Sequence, residues 1–439
     1  MSTPLLILFG PAAAGTTLLL LRRFKRATAL LGVGLALLLL VVVALIEPGT
    51  TTVLGRSLNV DERLLSLLRF LYATQVLLSG IALWLPQGRD FTALSLLVSA
   101  PLAGALMIEP FVFGAAFLAL AAGGLSLMAQ GTRPGPTLPA LRVLVVTLVA
   151  MALLLVAGWM LNVSQGSYLD TVALFFAVAF VILLAGFPFH FWIAPLLRQA
   201  PPLVIVFALG LAQLLVAFFC IQLLVNHSPV TANGLFLNLV ILSGVTTTAV
   251  AGLLALLSRT TAGLVGYLML IDAGTVVFTL GFSDMLGLET TLLMLTARVP
   301  ALLAVTLGFA LNQPAKNRSS TLAGLPHNYL GLGLTLLGGL SLIGLPLTIG
   351  FNGRYAALTL LASRAEWLAL IVLVGLACGV VALFRSTLNS MAGDRQTAGP
   401  PTRPKALHVI GAIVLVGVAL LGLYPRPLLA FVHHLAGLL

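Results

Sequence analysis

Apolar runs of about twenty residues follow one another from end to end of this chain, and the connections between them are too short to fold alone. As a helix, a run of that length rises about 30 Å, the thickness of a bilayer's hydrocarbon core. Lipid offers backbone amides no water, so such runs must become helices that close their own hydrogen bonds. Composition agrees: 60% of side chains are hydrophobic and 8% charged, against about 25% charged in soluble domains. A soluble enzyme is excluded. The expected fold is an all-α polytopic membrane protein of about fourteen transmembrane helices, at 4–21, 27–46, 64–86, 91–108, 110–130, 140–162, 170–199, 202–226, 232–257, 262–283, 285–311, 328–363, 366–390 and 406–424. The first run has no charge before it, a cluster of Arg22, Arg23, Lys25 and Arg26 after it, and no small-residue cleavage site. It is expected to be a retained anchor rather than a signal peptide.

The net charge of +11 would suit a nucleic-acid binder, but its distribution points to a lipid bilayer. Connections after odd-numbered spans hold fourteen basic residues: Arg22, Arg23, Lys25, Arg26, Arg89, Arg133, Arg142, Arg198, Arg259, Lys316, Arg318, Arg395, Arg403 and Lys405. Those after even-numbered spans hold three, Arg56, Arg63 and Arg364. Basic loops stay on the cytoplasmic side. This asymmetry predicts a multi-pass protein of the inner (cytoplasmic) membrane with both termini on the non-cytoplasmic side. Cys220 and Cys378 lie inside apolar spans and read as buried packing residues. There is no CxxC, HExxH or Walker loop, so no metal site or cofactor is expected in this chain. The glycines of Gly331-Leu332-Gly333 and Gly338-Gly339 read as close helix-packing positions.

Two spans are interrupted. Phe187-Pro188-Phe189-His190-Phe191-Trp192 breaks the seventh, and Gly344-Leu345-Pro346-Leu347-Thr348-Ile349-Gly350 breaks the twelfth. Proline removes a donor and clashes with the preceding turn. At membrane depth a break survives only where protein or a cavity satisfies the freed groups, and paired breaks in inverted repeats point to an ion pathway. The interruptions sit at matching places in two blocks of five spans, 4–8 and 9–13. Two inverted repeats are therefore expected. The domain reading is an N-terminal three-helix segment at 1–90, a first repeat at 91–226, an inverted second repeat at 232–390, and a C-terminal helix and tail at 391–439.

At these residues the chain resembles the antiporter-like, proton-translocating membrane subunits of respiratory complex I, of the NuoN/NuoM type. That family also includes Mrp cation antiporter subunits and membrane subunits of energy-converting hydrogenases. Pro188-Phe189-His190-Phe191-Trp192 with Ala200-Pro201-Pro202-Leu203-Val204 is similar to the family's PFHxW…GAPxPV. Leu342-Ile343-Gly344-Leu345-Pro346 through Gly350-Phe351-Asn352-Gly353-Arg354-Tyr355 is similar to LSLxGxPPxxGFxGKF. Tyr267 with Ala273-Gly274 follows YSSIxHxG, and Gly422-Leu423-Tyr424-Pro425-Arg426-Pro427-Leu428-Leu429 follows GxxPxPLL. The resemblance implies a midplane proton relay through a helix-5 glutamate, lysines in helices 7 and 8, a histidine region in helices 10 and 11, and a helix-12 lysine or glutamate.

This chain departs from that relay. Ala121 stands at the helix-5 glutamate, Leu183 at the helix-7 lysine and Gln213 at or beside the helix-8 lysine, so those relay positions are lost to titration. Helix 12 keeps a basic group as Arg354, but arginine stays charged where lysine shifts its pKa, which suits a fixed charge better than a relay. Intramembrane ionisable residues are functional candidates by default. The polar-axis candidates are His190, Gln213, Asp272, Arg298 and Arg354, with Pro188, Pro346 and Gly350 as helix-break positions. Asp272 is expected to pair with Arg298 or with Arg354, as a fixed ion pair or as a remnant of the axis. His190 reads either as a proton carrier or as a partner of the backbone freed by Pro188. Glu109, Asp170, Glu289 and Glu366 read as headgroup-level residues, Arg385 as snorkelling, and His433-His434 as a terminal pair.

The expected function is an antiporter-like membrane-arm subunit of a complex I-like NADH (or other donor):quinone oxidoreductase or a related energy-converting complex. Its own proton path is expected to be reduced or lost, with the redox cofactors in other subunits and its partners other membrane subunits. Two alternatives stay open: a proton-conducting subunit with a modified path, and a cation antiporter or bicarbonate-uptake membrane subunit.

Overall fold

A computed structural model describes residues 3–53, 55–85, 87–88, 90–131, 138–163, 168–312, 328–392 and 404–437. Arg89, Arg133, Lys316, Arg318, Arg395 and Arg403, part of the basic asymmetry, lie outside the described residues. The fold is the expected polytopic all-α one. Its helices are α1 (Thr3–Leu20), α2 (Lys25–Leu45), α3 (Glu62–Ala82), α4 (Phe91–Met107), α5 (Gly114–Gln130), α6 (Leu138–Val163), α7 (Leu169–Leu183), α8 (Ile193–Gln199), α9 (Pro202–Asn226), α10 (Gly234–Leu257), α11 (Thr261–Leu280), α12 (Met285–Asn312), α13 (Tyr329–Ile343), α14 (Phe351–Arg364), α15 (Glu366–Ala392), α16 (Lys405–Leu423) and α17 (Arg426–Gly437). Ten of the described helices are long and apolar enough to cross a membrane. The shorter apolar helices α4, α5, α7 and α13 have 10–17 residues each.

One element departs from a wholly helical chain. Thr50, Thr51, Thr52 and Val53 form a β-branched run, and Gly55 turns with φ +75°. Such residues favour extended backbone. They make an antiparallel hairpin of β1 (Gly49–Val53) and β2 (Arg56–Val60), with Thr51 opposite Leu58. A short β3 (Ile108–Glu109) adds to it, pairing Ser57 with Glu109. The Glu109 carboxylate accepts from Ser57 Oγ and Asn59 Nδ2, both at 3.3 Å. Its place is therefore set by this sheet rather than by headgroup level alone.

The described residues form two compact units. The first takes the chain through Leu183, Phe207–Leu239 and the residues from His434; the second takes Leu184–Val206 and Val240–His433. In the first unit α1 packs on α4, α4 on α5, α2 on α3, and α5 and α7 on α6. Asp61 caps α3 by accepting from the Leu64 N–H at 2.8 Å, satisfying one of the orphan donors at its start. Within α9 the turns widen to π geometry over Val206–Ala212, just before Gln213.

In the second unit α12 lies against α13 through small residues. A methyl at Gly338 would stand 2.7 Å from the Ala301 carbonyl, and one at Gly308 2.4 Å from Thr335 Oγ1. Close approach of this kind is how helices adhere in lipid, where apolar burial offers little. Gly333 does not share the role, since open space surrounds it. Of the two cysteines Cys220 is buried as expected, while Cys378 is only half-buried. Burial also ranks the helices. In α11, 94% of the most apolar window is buried, against 17% in α16. Val409, Ile413, Val416 and Leu420 line one exposed face of α16 at helical spacing, as a lipid-facing helix requires. The buried α11 is the helix that carries Asp272.

Candidate functional site

Both chain breaks lie in the second unit, and they are satisfied by different chemistry. At the first, α7 stops at Leu183 and the chain passes through Ala185 (φ +60°) and Pro188 into a single tight turn, Phe189–Trp192. The backbone groups of Phe187 have lost their helical partners. Its N–H donates to Thr247 Oγ1 at 2.6 Å, and its carbonyl accepts from Ser243 Oγ at 2.7 Å. Ser243 and Thr247 are four residues apart on α10, so one helix face meets both ends of the freed peptide unit. The His190 ring instead stacks on Phe187, with centroids 5.7 Å apart and planes at 20°. The two hydroxyls thus take up the Phe187 N–H and carbonyl, while the imidazole keeps a hydrogen bond to the Pro188 backbone.

At the second break, α13 ends at Ile343 and Gly344 closes it in the left-handed region (φ +81°), its N–H donating to the Leu340 carbonyl at 2.9 Å. Glycine at that position avoids the Cβ clash of left-handed backbone. Pro346 sits on the exposed side of the loop. Gly350 lies so close to the Ser341 carbonyl that a Cβ would stand 2.0 Å from the oxygen, so the loop can fold back only over glycine.

That fold brings Arg354, in the first turn of α14, against the end of α13. Arg354 Nη2 donates to the Leu342 carbonyl at 2.6 Å and to Asp272 Oδ1 at 3.1 Å, while Nη1 donates to Thr275 Oγ1. The other carboxylate oxygen, Asp272 Oδ2, accepts from Arg298 Nε at 2.5 Å. Side-chain exposure is 6% for Asp272, 1% for Arg298 and 3% for Arg354. The expected pairing therefore holds in both forms at once, with one carboxylate clamped between two guanidiniums. Arg354 also caps a carbonyl orphaned by the break, which the helix dipole favours at a C-terminus.

The cluster gathers Asp272, Arg298 and Arg354 from α11, α12 and α14. His190 stays at the other break. Gln213, 5% exposed, and Ala121, 1% exposed, belong to the first unit, and Leu183 closes that unit's α7. Sequence reasoning missed Ser243, Thr247 and Thr275, although the four-residue spacing of the first two and the place of Thr275 one turn beyond Asp272 are visible in the chain. The peripheral groups have partners too. Glu289 Oε1 meets His433 Nδ1 at 2.6 Å, Asp170 Oδ1 accepts from Asn233 Nδ2 at 2.8 Å, and exposed Arg385 donates to the Leu256 carbonyl at 2.5 Å, beside the end of α10. Among the described residues no group of three or more His, Cys, Asp and Glu side chains is placed to hold a metal.

No family model matches this chain. It is 29% identical over 294 residues to subunit N of the NADH-quinone oxidoreductase of Ectopseudomonas mendocina, covering 64% of this chain and 58% of the relative. With subunit N of Chromohalobacter salexigens it shares 28% over 267 residues, covering 56% and 54% of the two chains. The chain spans a little over half the length of the curated relatives it matches. A chain in the structure of the membrane-bound sulfane sulfur reductase, an archaeal respiratory membrane complex, superposes with a TM-score of 0.79 at 14% identity, over 99% of this chain and 97% of that one. A chain of the Mrp complex from Dietzia sp. DQ12-45-1b gives 0.76 at 16%, over 99% and 96%. One from Thermus thermophilus respiratory complex I with bound NADH gives 0.71 at 20%, over 99% of both chains. At these identities the solved structures establish the fold alone, and the sequence matches are to subunit N of NADH-quinone oxidoreductases.

Proposed function

We propose that this chain is an antiporter-like membrane-arm subunit of a complex I-like quinone oxidoreductase or a related energy-converting complex, and that its own proton path is reduced. It sits in the cytoplasmic membrane with both termini on the non-cytoplasmic side, beside other membrane subunits, and the redox cofactors belong to other subunits of the complex. The sequence similarity to subunit N supports the setting. The observation that carries the reduced path is the clamped carboxylate. A relay group must exchange partners as it takes up and releases a proton, whereas Asp272 is held on both oxygens by guanidiniums, and Arg354 is spent on the end of α13. Ala121 and Leu183, which hold no proton, stand at the matching upstream positions.

Affinity purification of the tagged full-length chain in mild detergent tests the setting. Co-purification with quinone-reductase or hydrogenase-type subunits is expected. Recovery with Mrp antiporter subunits, or with a soluble zinc protein, would replace this reading with the antiporter or bicarbonate-uptake alternative.

A further inference from the structure

The faces of α11 and α12 that meet at Asp272 and Arg298 stay polar beyond that pair. Asp272, Thr275 and Thr279 follow one another at helical spacing along α11, and Thr291 and Arg298 do so along α12. Thr291 Oγ1 donates to Thr279 Oγ1 at 2.9 Å, and Thr275, Thr279 and Thr291 have no exposed surface. Seven helical residues rise about 10 Å, so the hydroxyls reach from the cluster to the end of α11 near exposed Asp284.

At its inner end this seam meets a guanidinium, because Arg354 donates to Thr275 Oγ1. A guanidinium offers donors only and does not release its proton. Two guanidiniums against one carboxylate leave a net positive charge where screening is weak. A fixed arginine charge of this kind excludes protons and cations from pores.

We propose that Arg354, locked to Asp272 and to the Leu342 carbonyl, is an electrostatic seal that closes the α11–α12 hydroxyl seam to protons and other cations. The seal deepens the reduced-path reading and rests on it only for the membrane setting. Partner identity does not enter its test, so the two fail separately.

The test uses full-length chain in liposomes holding a trapped pH dye, with potassium and valinomycin clamping the potential under an inward proton gradient. Wild-type liposomes are expected to leak no faster than protein-free ones. Arg354→Lys places a group that can shed its proton in a dry site, and is expected to raise proton flux roughly tenfold, about 1.4 kcal/mol off the barrier. The increase should be larger near about pH 9 than near about pH 7. Adding Thr291→Val to Arg354→Lys should return the flux to the wild-type level. Wild-type flux above that of protein-free liposomes overturns the seal. So does a monodisperse Arg354→Lys chain as tight as wild type, or an increase that Thr291→Val leaves untouched. Should Arg354→Lys not yield monodisperse protein, Arg354→Gln takes its place, with an increase in flux again expected and the same tightness counting against the proposal.

Discussion

The two chain breaks pose one backbone problem and receive two answers. At Phe187 the freed N–H and carbonyl are taken by neutral hydroxyls, Thr247 and Ser243, one turn apart on a neighbouring helix. At Leu342 the freed carbonyl is taken by Arg354, and the charge brought in to do so is balanced by Asp272, which in turn holds Arg298. A neutral answer is local and involves few partners. A charged answer recruits further charges, because none can be left alone in a dry interior. The second break thereby ties α11, α12, α13 and α14 together, while the first joins its turn to α10.

The largest effect is expected from removing the shared carboxylate. Asp272→Ala leaves two buried guanidiniums without a counter-charge and is expected to cost about 3–5 kcal/mol. It should appear as a large fall in the detergent unfolding midpoint or as loss of folded protein. A change no larger than that of a hydroxyl deletion would show that the cluster does not hold the second break. Thr247→Val, nearly isosteric, leaves the Phe187 N–H without its partner and should cost about 1–3 kcal/mol by the same assay. Equal losses from the two variants would erase the distinction. The smallest effect belongs to His190→Phe, which keeps the stack on Phe187 and gives up one hydrogen bond to the Pro188 backbone, so it should cost about 0.5–1 kcal/mol. A loss comparable to that of Thr247→Val would mean that the imidazole carries part of the first break after all.

How far the chain disclosed these features depended on how rare each signal was. Asp272 and Arg298 stand out because charges are scarce in apolar runs, and their pairing is legible on that ground. The double clamp is not, because nothing linear says that the loop through Gly350 folds back until Arg354 reaches both Leu342 and Asp272. Ser243 and Thr247 are harder still. Many serines and threonines in this chain bond carbonyls of their own helix, as Thr246 and Thr306 do, so the chain alone does not mark which hydroxyl also turns to a distant peptide. The hairpin of β1 and β2 is marked in the chain only by the threonine run before Gly55, because its strands are far shorter than a membrane span and carry little apolar signal. Pro188 and Pro346 located both breaks; what fills them is three-dimensional information.

A fixed clamp at Asp272 and a working relay through it differ in what loss of the carboxylate does to proton movement. Asp272→Asn tests that difference most directly, because the side chain keeps its shape and an acceptor oxygen while losing the group that would carry a proton. The measurement is protons translocated per electron by the purified complex in which the proposed function places this chain, wild type against Asp272→Asn. The same ratio is expected in both. A lower ratio in correctly assembled complex would return Asp272 to the proton path.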